Sequence, residues 1–96
     1  MGRIITLDAS GWKTPLDFYD ALLPALGAPH WHGRSVNALI DSMVYGGINA
    51  VEPPYEIHIT GTTHLPPAVR QELDWMVADI KSHQGDKDDI QFLISA

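Results

Sequence analysis

The sequence predicts an α/β protein in which three to four helices pack on a small three-stranded parallel sheet. Three short segments rich in β-branched and apolar residues, 3–7, 55–60 and 89–94, are typical of strands. The segments between them carry apolar residues at helical spacing. Crossovers of that length require parallel pairing and right-handed connections. We therefore expect the order strand-helix-helix-strand-helix-strand in one domain over residues 1–96.

The first two strands differ in their patterns and therefore in their expected burial. The first strand is an unbroken β-branched and apolar run, which predicts that it is covered on both faces. The second strand alternates strictly between apolar and polar residues. Because side chains in a strand point alternately to the two faces, Tyr55, Ile57 and Ile59 are predicted to point into the core.

The first helix has clear start and stop signals. Thr14 is a candidate N-cap, Pro15 suits the first helical position, and Asp17 lies where a capping acid acts. Gly27 is expected to end the helix in the left-handed conformation, and Pro24 to kink or shorten its last turn. The predicted core face consists of Leu16, Tyr19, Leu23 and Leu26.

The second helix is predicted to have two unlike faces. Ser35 is its candidate N-cap, and Gly33 marks a tight turn just before it. The core face comprises Val36, Leu39, Ile40 and Met43. The opposite face comprises Arg34, Asn37 and Asp41, with Tyr45 if the helix extends that far. One face therefore holds the fold, and the other is free to meet a partner.

The third helix begins at Pro66-Pro67 and combines a core stripe with an acidic flank. Its predicted core residues are Val69, Leu73, Met76, Val77 and Ile80. Glu72, Trp75 and Asp79 lie together outside that stripe. Trp75 could extend a partner-binding surface with these acids or cover a loop or a sheet edge, and packing is the favoured interpretation; Asp79 could extend the partner-binding surface.

The charge balance predicts which kinds of partner suit the chain. Six Lys and Arg against twelve Asp and Glu give a net charge of −6, which argues against binding to nucleic acid or an anionic membrane. No Lys or Arg lies between Arg34 and Arg70, so the middle of the chain suits a basic partner. The absence of cysteine, of a signal peptide and of a long apolar run is typical of a cytoplasmic protein.

Three motifs resemble the barstar family, the small inhibitors of secreted bacterial ribonucleases. They are Leu26-Gly27-Ala28-Pro29, Trp31-His32-Gly33-Arg34 and Ala38-Leu39-Ile40-Asp41. The last two resemble the family signature aromatic–Gly–x–Asn–Leu–Asp–Ala–Leu–Trp–Asp, and the order of elements fits over nearly the whole chain. The sequence departs from that signature at His32, Ser35, Asn37 and Ile40, which stand for an aromatic residue, Asn, an acid and Trp.

The resemblance implies that the second helix and the loop before it plug a ribonuclease active site. It places Trp31 as an interface aromatic and Asp41 as the central acid that occupies the enzyme's phosphate site. Glu52 loosely matches another acid, on a loop that is longer here, and Asp79 lies near an acid of the family's last helix. The predicted partner-binding residues are Trp31, His32, Gly33, Arg34, Asn37, Asp41, Tyr45, Glu52 and Asp79.

These observations predict an inhibitor or immunity protein of a basic ribonuclease or related toxin. We expect it to be a monomer when free, with no catalytic residue, metal, cofactor or direct nucleic-acid contact. The alternative is a small metal-binding or hydrolytic domain that uses His30, His32 and nearby carboxylates. The histidines come from a turn, a strand and a loop, and no nucleophile or phosphate-binding motif accompanies them. A third hypothesis is an adaptor that keeps the fold without a nuclease target.

Overall fold

The computed structural model describes residues 3–96, and its elements follow the predicted order. They are β1 (Arg3–Asp8), α1 (Pro15–Ala25), α2 (Val36–Leu39), β2 (Tyr55–Thr60), α3 (Pro67–Gln84) and β3 (Ile90–Ile94). A π-helical segment, Ile40–Tyr45, continues α2 directly. The prediction of three parallel strands and three helices in this order is confirmed.

The sheet has the strand order β1-β2-β3, with both neighbouring pairs parallel. The register aligns the beginnings of all three strands, because Arg3 lies opposite Tyr55 and Tyr55 lies opposite Ile90. The end of α3 is joined to the start of β3 by the buried amide of Gln84. Its Nε2 donates to the Ile90 carbonyl at 2.9 Å, and its Oε1 accepts from the Ile90 N–H at 3.1 Å.

The helices cover one face of the sheet, and the other face is open. Ile5 and Leu7 of β1 are buried, but Ile4 is 57% exposed and Thr6 is exposed as well. The prediction that β1 is covered on both faces is therefore wrong: Ile4 is an apolar side chain on the solvent side of a two-layer fold. The prediction for β2 is confirmed, since Tyr55, Ile57 and Ile59 are at most 2% exposed.

The capping signals of α1 are confirmed, and its core face is displaced from the predicted one. Asp17 Oδ2 accepts from the N–H groups of Lys13 and Thr14 at 2.7 and 3.1 Å, and these bonds lower the pKa of Asp17. The helix ends at Ala25, one residue after Pro24. The buried residues are Phe18, Tyr19, Leu22 and Leu26. Leu16 is 47% exposed because the helix turns Phe18 inward, where its ring lies 5.6 Å from that of Trp12.

The loop between the π-helical segment and β2 is tied to the end of α1. The Ala50 N–H donates to the Gly27 carbonyl at 3.1 Å, and the Val51 N–H donates to the Leu26 carbonyl at 2.9 Å. Gly27 has φ +66°, as predicted, and a Cβ at this position would lie 2.7 Å from the Cβ of Ala50. Only glycine allows this close approach of the loop to the helix end.

The third helix packs as its pattern predicts. Val69, Leu73, Met76 and Ile80 are fully buried, and Val77 is half-buried. The Tyr19 hydroxyl of α1 donates to Glu72 Oε2 of α3 and joins the two helices. Burial and the neighbouring carboxylate raise the pKa of Tyr19. No helix within residues 3–96 is long and apolar enough to cross a membrane.

Candidate functional site

The second helix presents the two faces that its sequence predicts, but it changes its hydrogen-bond pattern halfway. Ser35 Oγ accepts from the Ala38 N–H at 3.1 Å, which confirms the N-cap. From Ile40 onward the helix is π-helical, and the Gly46 N–H donates to the Asp41 carbonyl at 3.1 Å. Such wide turns are rare in proteins overall, and where they occur they are often found at functional sites.

The inner face of this helix is firmly packed, and its outer face is exposed. Leu39, Ile40 and Met43 are at most 5% exposed, and Val36 is half-buried. Asn37, Asp41 and Tyr45 are exposed on the other side, Tyr45 with 69% of its surface. A polar face is thus held in place by a buried apolar one.

Trp31 and Asp41 border the same depression, which has a volume of about 80 Å³. Trp31 is 65% exposed. The depression is lined by Trp31, His32, Gly33, Ala38, Asp41 and Ile48. An aromatic ring and a carboxylate are therefore brought together over a small apolar floor. The sequence reasoning did not assign Ala38 and Ile48 to the site. Ile48 was missed because no pattern marks a residue in the loop after Gly47 as a neighbour of α2.

His32 is buried, in contrast to its neighbour Trp31. It is 8% exposed; its Nδ1 lies 2.7 Å from the Gly33 carbonyl oxygen, and its Nε2 lies 2.8 Å from Ser42 Oγ. A carbonyl oxygen only accepts, so in the neutral ring Nδ1 carries the proton and Nε2 accepts from the Ser42 hydroxyl. The structure therefore gives His32 the task of fastening the loop to α2, and leaves little of its surface for a partner.

Arg34 is exposed at the start of α2 and has the carboxylate neighbour that its position favours. Its Nε lies 3.2 Å from Oδ1 of Asp20 on α1, and both side chains are about half exposed. A cation at a helix N-terminus opposes the helix dipole slightly, and the Asp20 carboxylate offsets this.

Glu52 is exposed and stabilises the loop that carries it. Its Oε1 accepts from the Gly47 N–H at 3.2 Å. Burial, together with the charge of Glu52, raises the pKa of Tyr55, whose hydroxyl is buried and has no hydrogen-bond partner among residues 3–96. Glu52 therefore combines a charge at the surface with a structural role in the loop.

Asp79 is exposed on α3 and lines neither of the two pockets beside the loop before α2. Its neighbour Trp75 is 55% exposed, so the expectation that Trp75 packs against the protein is wrong. The α3 residues thus form a separate acidic and aromatic surface on a helix that packs against both α1 and α2.

The histidines do not converge. His58 lies on the open face of the sheet, with Nε2 3.8 Å from Glu56 Oε2, and His64 is exposed in the loop after β2. Across residues 3–96, no group of three or more His, Asp or Glu side chains is arranged to hold a metal ion. Within these residues the fold therefore does not supply His30 and His32 with the further ligands that a metal-binding domain requires.

The chain is thus a small α/β protein in which Asp41 of an exposed helix face and Trp31 of the preceding loop border one depression. A comparison with protein-family models matches residues 2–95 to Barstar (barnase inhibitor). The chain belongs to the barstar family. Members of this family are inhibitors rather than enzymes, and membership implies binding to a ribonuclease such as barnase. A search of curated proteins found no match to this chain.

Proposed function

We propose that the protein is an inhibitor or immunity protein of a basic ribonuclease or related toxin, and that it blocks the enzyme's active site. The blocking surface, which we name the α2 surface, consists of Trp31, Gly33, Asn37, Asp41 and Tyr45 together with Glu52 of the adjoining loop. The observation that carries the proposal is the pairing of Asp41 and Trp31 at one depression on an exposed, firmly anchored helix face.

Asp41 is suited to act as a phosphate mimic. A ribonuclease active site binds phosphate groups through cationic side chains, and a carboxylate can take the same position and accept charge-assisted hydrogen bonds. The side chains of Leu39 and Met43 are at most 1% exposed, so the backbone that carries Asp41 is fixed by the core. A carboxylate on a fixed backbone loses only side-chain freedom on binding, which favours affinity.

Trp31 supplies the apolar part of the same contact. An aromatic side chain buries a large area with only two rotatable side-chain bonds, and its ring can cover the aliphatic stems of the partner's Arg or Lys residues. His32 supports it indirectly, because its hydrogen bond to Ser42 holds the loop that carries Trp31 against α2. The proposed contact therefore combines charge, apolar area and a rigid support.

The overall charge supports a basic partner. The net charge is −6, and between Arg34 and Arg70 the chain has no Lys or Arg. Because opposite net charges attract over several ångströms, a basic enzyme is steered toward the acidic side of the molecule before contact.

The test compares Asp41→Ala with Asp86→Ala in inhibition of a basic ribonuclease such as barnase. Asp86 is also exposed; it lies in the turn after α3 and does not line the depression that Trp31 and Asp41 border. Losing hydrogen bonds to a charged group costs roughly 1.5–3 kcal/mol, so Asp41→Ala should raise the dissociation constant roughly 10- to 150-fold. Asp86→Ala should change it less than about 2-fold, as expected for an exposed residue outside the contact. Equal losses would remove Asp41 from the centre of the interface.

A further inference from the structure

A second pocket lies on the other side of the loop before α2. Its volume is about 330 Å³, and it is formed between the C-terminal half of α1 and residues 28–34. We name it the α1 pocket; its lining includes Asp20, Leu23, Pro24, Pro29, His30 and Arg34. His32 lines both this pocket and the depression beside Asp41, so residues 28–34 form a wall between the two.

The wall is held in place by its own hydrogen bonds. The His32 N–H donates to the Pro29 carbonyl at 3.0 Å, and the His32 ring is bonded to Gly33 and Ser42. The wall formed by α1 is equally fixed, because Tyr19 is 1% exposed and its hydroxyl donates a hydrogen bond to Glu72. A pocket with two fixed walls needs no reorganisation to receive a side chain, which favours binding.

Charge and shape indicate what enters the α1 pocket. Arg34 is the only Lys or Arg between Lys13 and Arg70, and its charge is matched by Asp20 at 3.2 Å. A neutral occupant suits a site in which the charges are already paired. Within residues 3–96 the Arg34 guanidinium makes no other ion pair or hydrogen bond. The rest of the pocket lining includes the apolar side chains of Leu23, Pro24 and Pro29. A held guanidinium beside apolar walls is a good environment for an aromatic ring.

We infer that the α1 pocket receives an aromatic side chain of the partner ribonuclease and acts as a second anchor next to the α2 surface. The inference rests on the proposed function: His32 lines both the α1 pocket and the depression that Trp31 and Asp41 border, so the pocket lies within reach of the same partner. Arg34 is then a specificity-determining residue, which contacts the ring, and Asp20 is a positioning residue that holds the guanidinium.

The first experiment tests the pocket on the protein alone. A ¹⁵N-labelled sample is titrated with N-acetyl-tyrosine amide and, separately, with N-acetyl-glutamate amide. The tyrosine probe should shift the amide signals of Leu23, His30 and Arg34 and leave that of Asp86 unchanged. Arg34→Lys keeps the charge but loses the planar guanidinium, and should weaken binding of the tyrosine probe about 2- to 5-fold. Binding of the glutamate probe alone, or of neither probe, would overturn the inference.

The second experiment separates this inference from the proposed function. Inhibition of a basic ribonuclease such as barnase is measured for Arg34→Lys, Asp41→Ala and the control Thr6→Ala, whose residue is exposed on the open face of the sheet. Arg34→Lys should weaken inhibition about 2- to 5-fold, and inhibition by Thr6→Ala should equal that of the wild type. A loss with Asp41→Ala but not with Arg34→Lys would refute the second anchor and leave the proposed function intact. Equal inhibition by all variants would refute the proposed function, whereas the probe titration still reports on the pocket.

Discussion

Replacing Gly27 by alanine tests how closely the loop that carries Glu52 is fitted against α1. Gly27 has φ +66°, and its new Cβ would lie 2.7 Å from the Cβ of Ala50. A non-glycine residue in the left-handed region costs roughly 1–2 kcal/mol, and overpacking adds roughly 1–3 kcal/mol. The expected loss is therefore about 2–5 kcal/mol, a large part of the roughly 5–15 kcal/mol by which small proteins are stable.

The matched control is Gly47→Ala. Gly47 has φ +81°, but no atom of residues 3–96 lies within 4 Å of a Cβ at that position, so only the backbone cost of roughly 1–2 kcal/mol applies. Urea unfolding, followed by the fluorescence of the three tryptophans, measures both variants. Gly27→Ala should have the lower urea midpoint. Its free energy of unfolding should lie about 1–3 kcal/mol below that of Gly47→Ala, with an unchanged m-value. Equal losses in the two variants would show that the contact with Ala50 does not constrain the loop.

Three further predictions concern charge and buried polar groups. Raising the salt concentration from about 10 mM to 1 M should slow association with a basic ribonuclease roughly 10-fold or more, since screening shortens the range of attraction; a constant rate in stopped-flow measurements would exclude steering. Asp17→Asn should lower the melting temperature at pH 7. Because the pKa of Asp17 is lowered in the folded state, this difference should narrow as the pH falls below 3.8, and a difference that persists at pH 2 would contradict the assigned cap. Tyr55→Phe removes a buried hydroxyl that has no hydrogen-bond partner in the described part of the chain, and it should raise the free energy of unfolding by about 1 kcal/mol. Since burial raises the pKa of Tyr55, the wild type should lose stability above about pH 10, and Tyr55→Phe should lose less stability over the same pH range. If Tyr55→Phe is less stable than the wild type, the hydroxyl is satisfied by a hydrogen bond.

Local signals in the sequence were sufficient for the parts of the fold that depend on neighbouring residues. The capping residues Thr14, Asp17 and Ser35 and the stop at Gly27 act within one helical turn, so their patterns predict them directly. The two faces of α2 follow from helical periodicity in the same way. These features include Asp41, the residue on which the proposed function depends.

The errors arose where tertiary contacts decide between two similar residues. In β1 both Ile4 and Ile5 are apolar, and only the packing of helices on one side of the sheet leaves Ile4 in solvent. In α1 the choice between Leu16 and Phe18 depends on the neighbouring ring of Trp12. Both errors overestimate burial, because an apolar residue at the surface has no signature of its own.

The features of the site that were missed depend on residues far apart in the sequence. Ser42 bonds the ring of His32 from ten positions away, and this contact turns a predicted surface histidine into a buried one. The π-helical segment and the α1 pocket likewise require the packing of separate elements. The residue types were visible in the sequence, but their distances were not.

The open face of the sheet has a practical use. Thr6 and Glu56 are exposed there, on the side of the sheet away from the helices and therefore away from Asp41. A cysteine introduced at position 6 provides a site for a dye or for attachment to a sensor surface, and the side proposed to meet the enzyme stays accessible. Immobilised in this orientation, the molecule can be measured against many ribonucleases in turn.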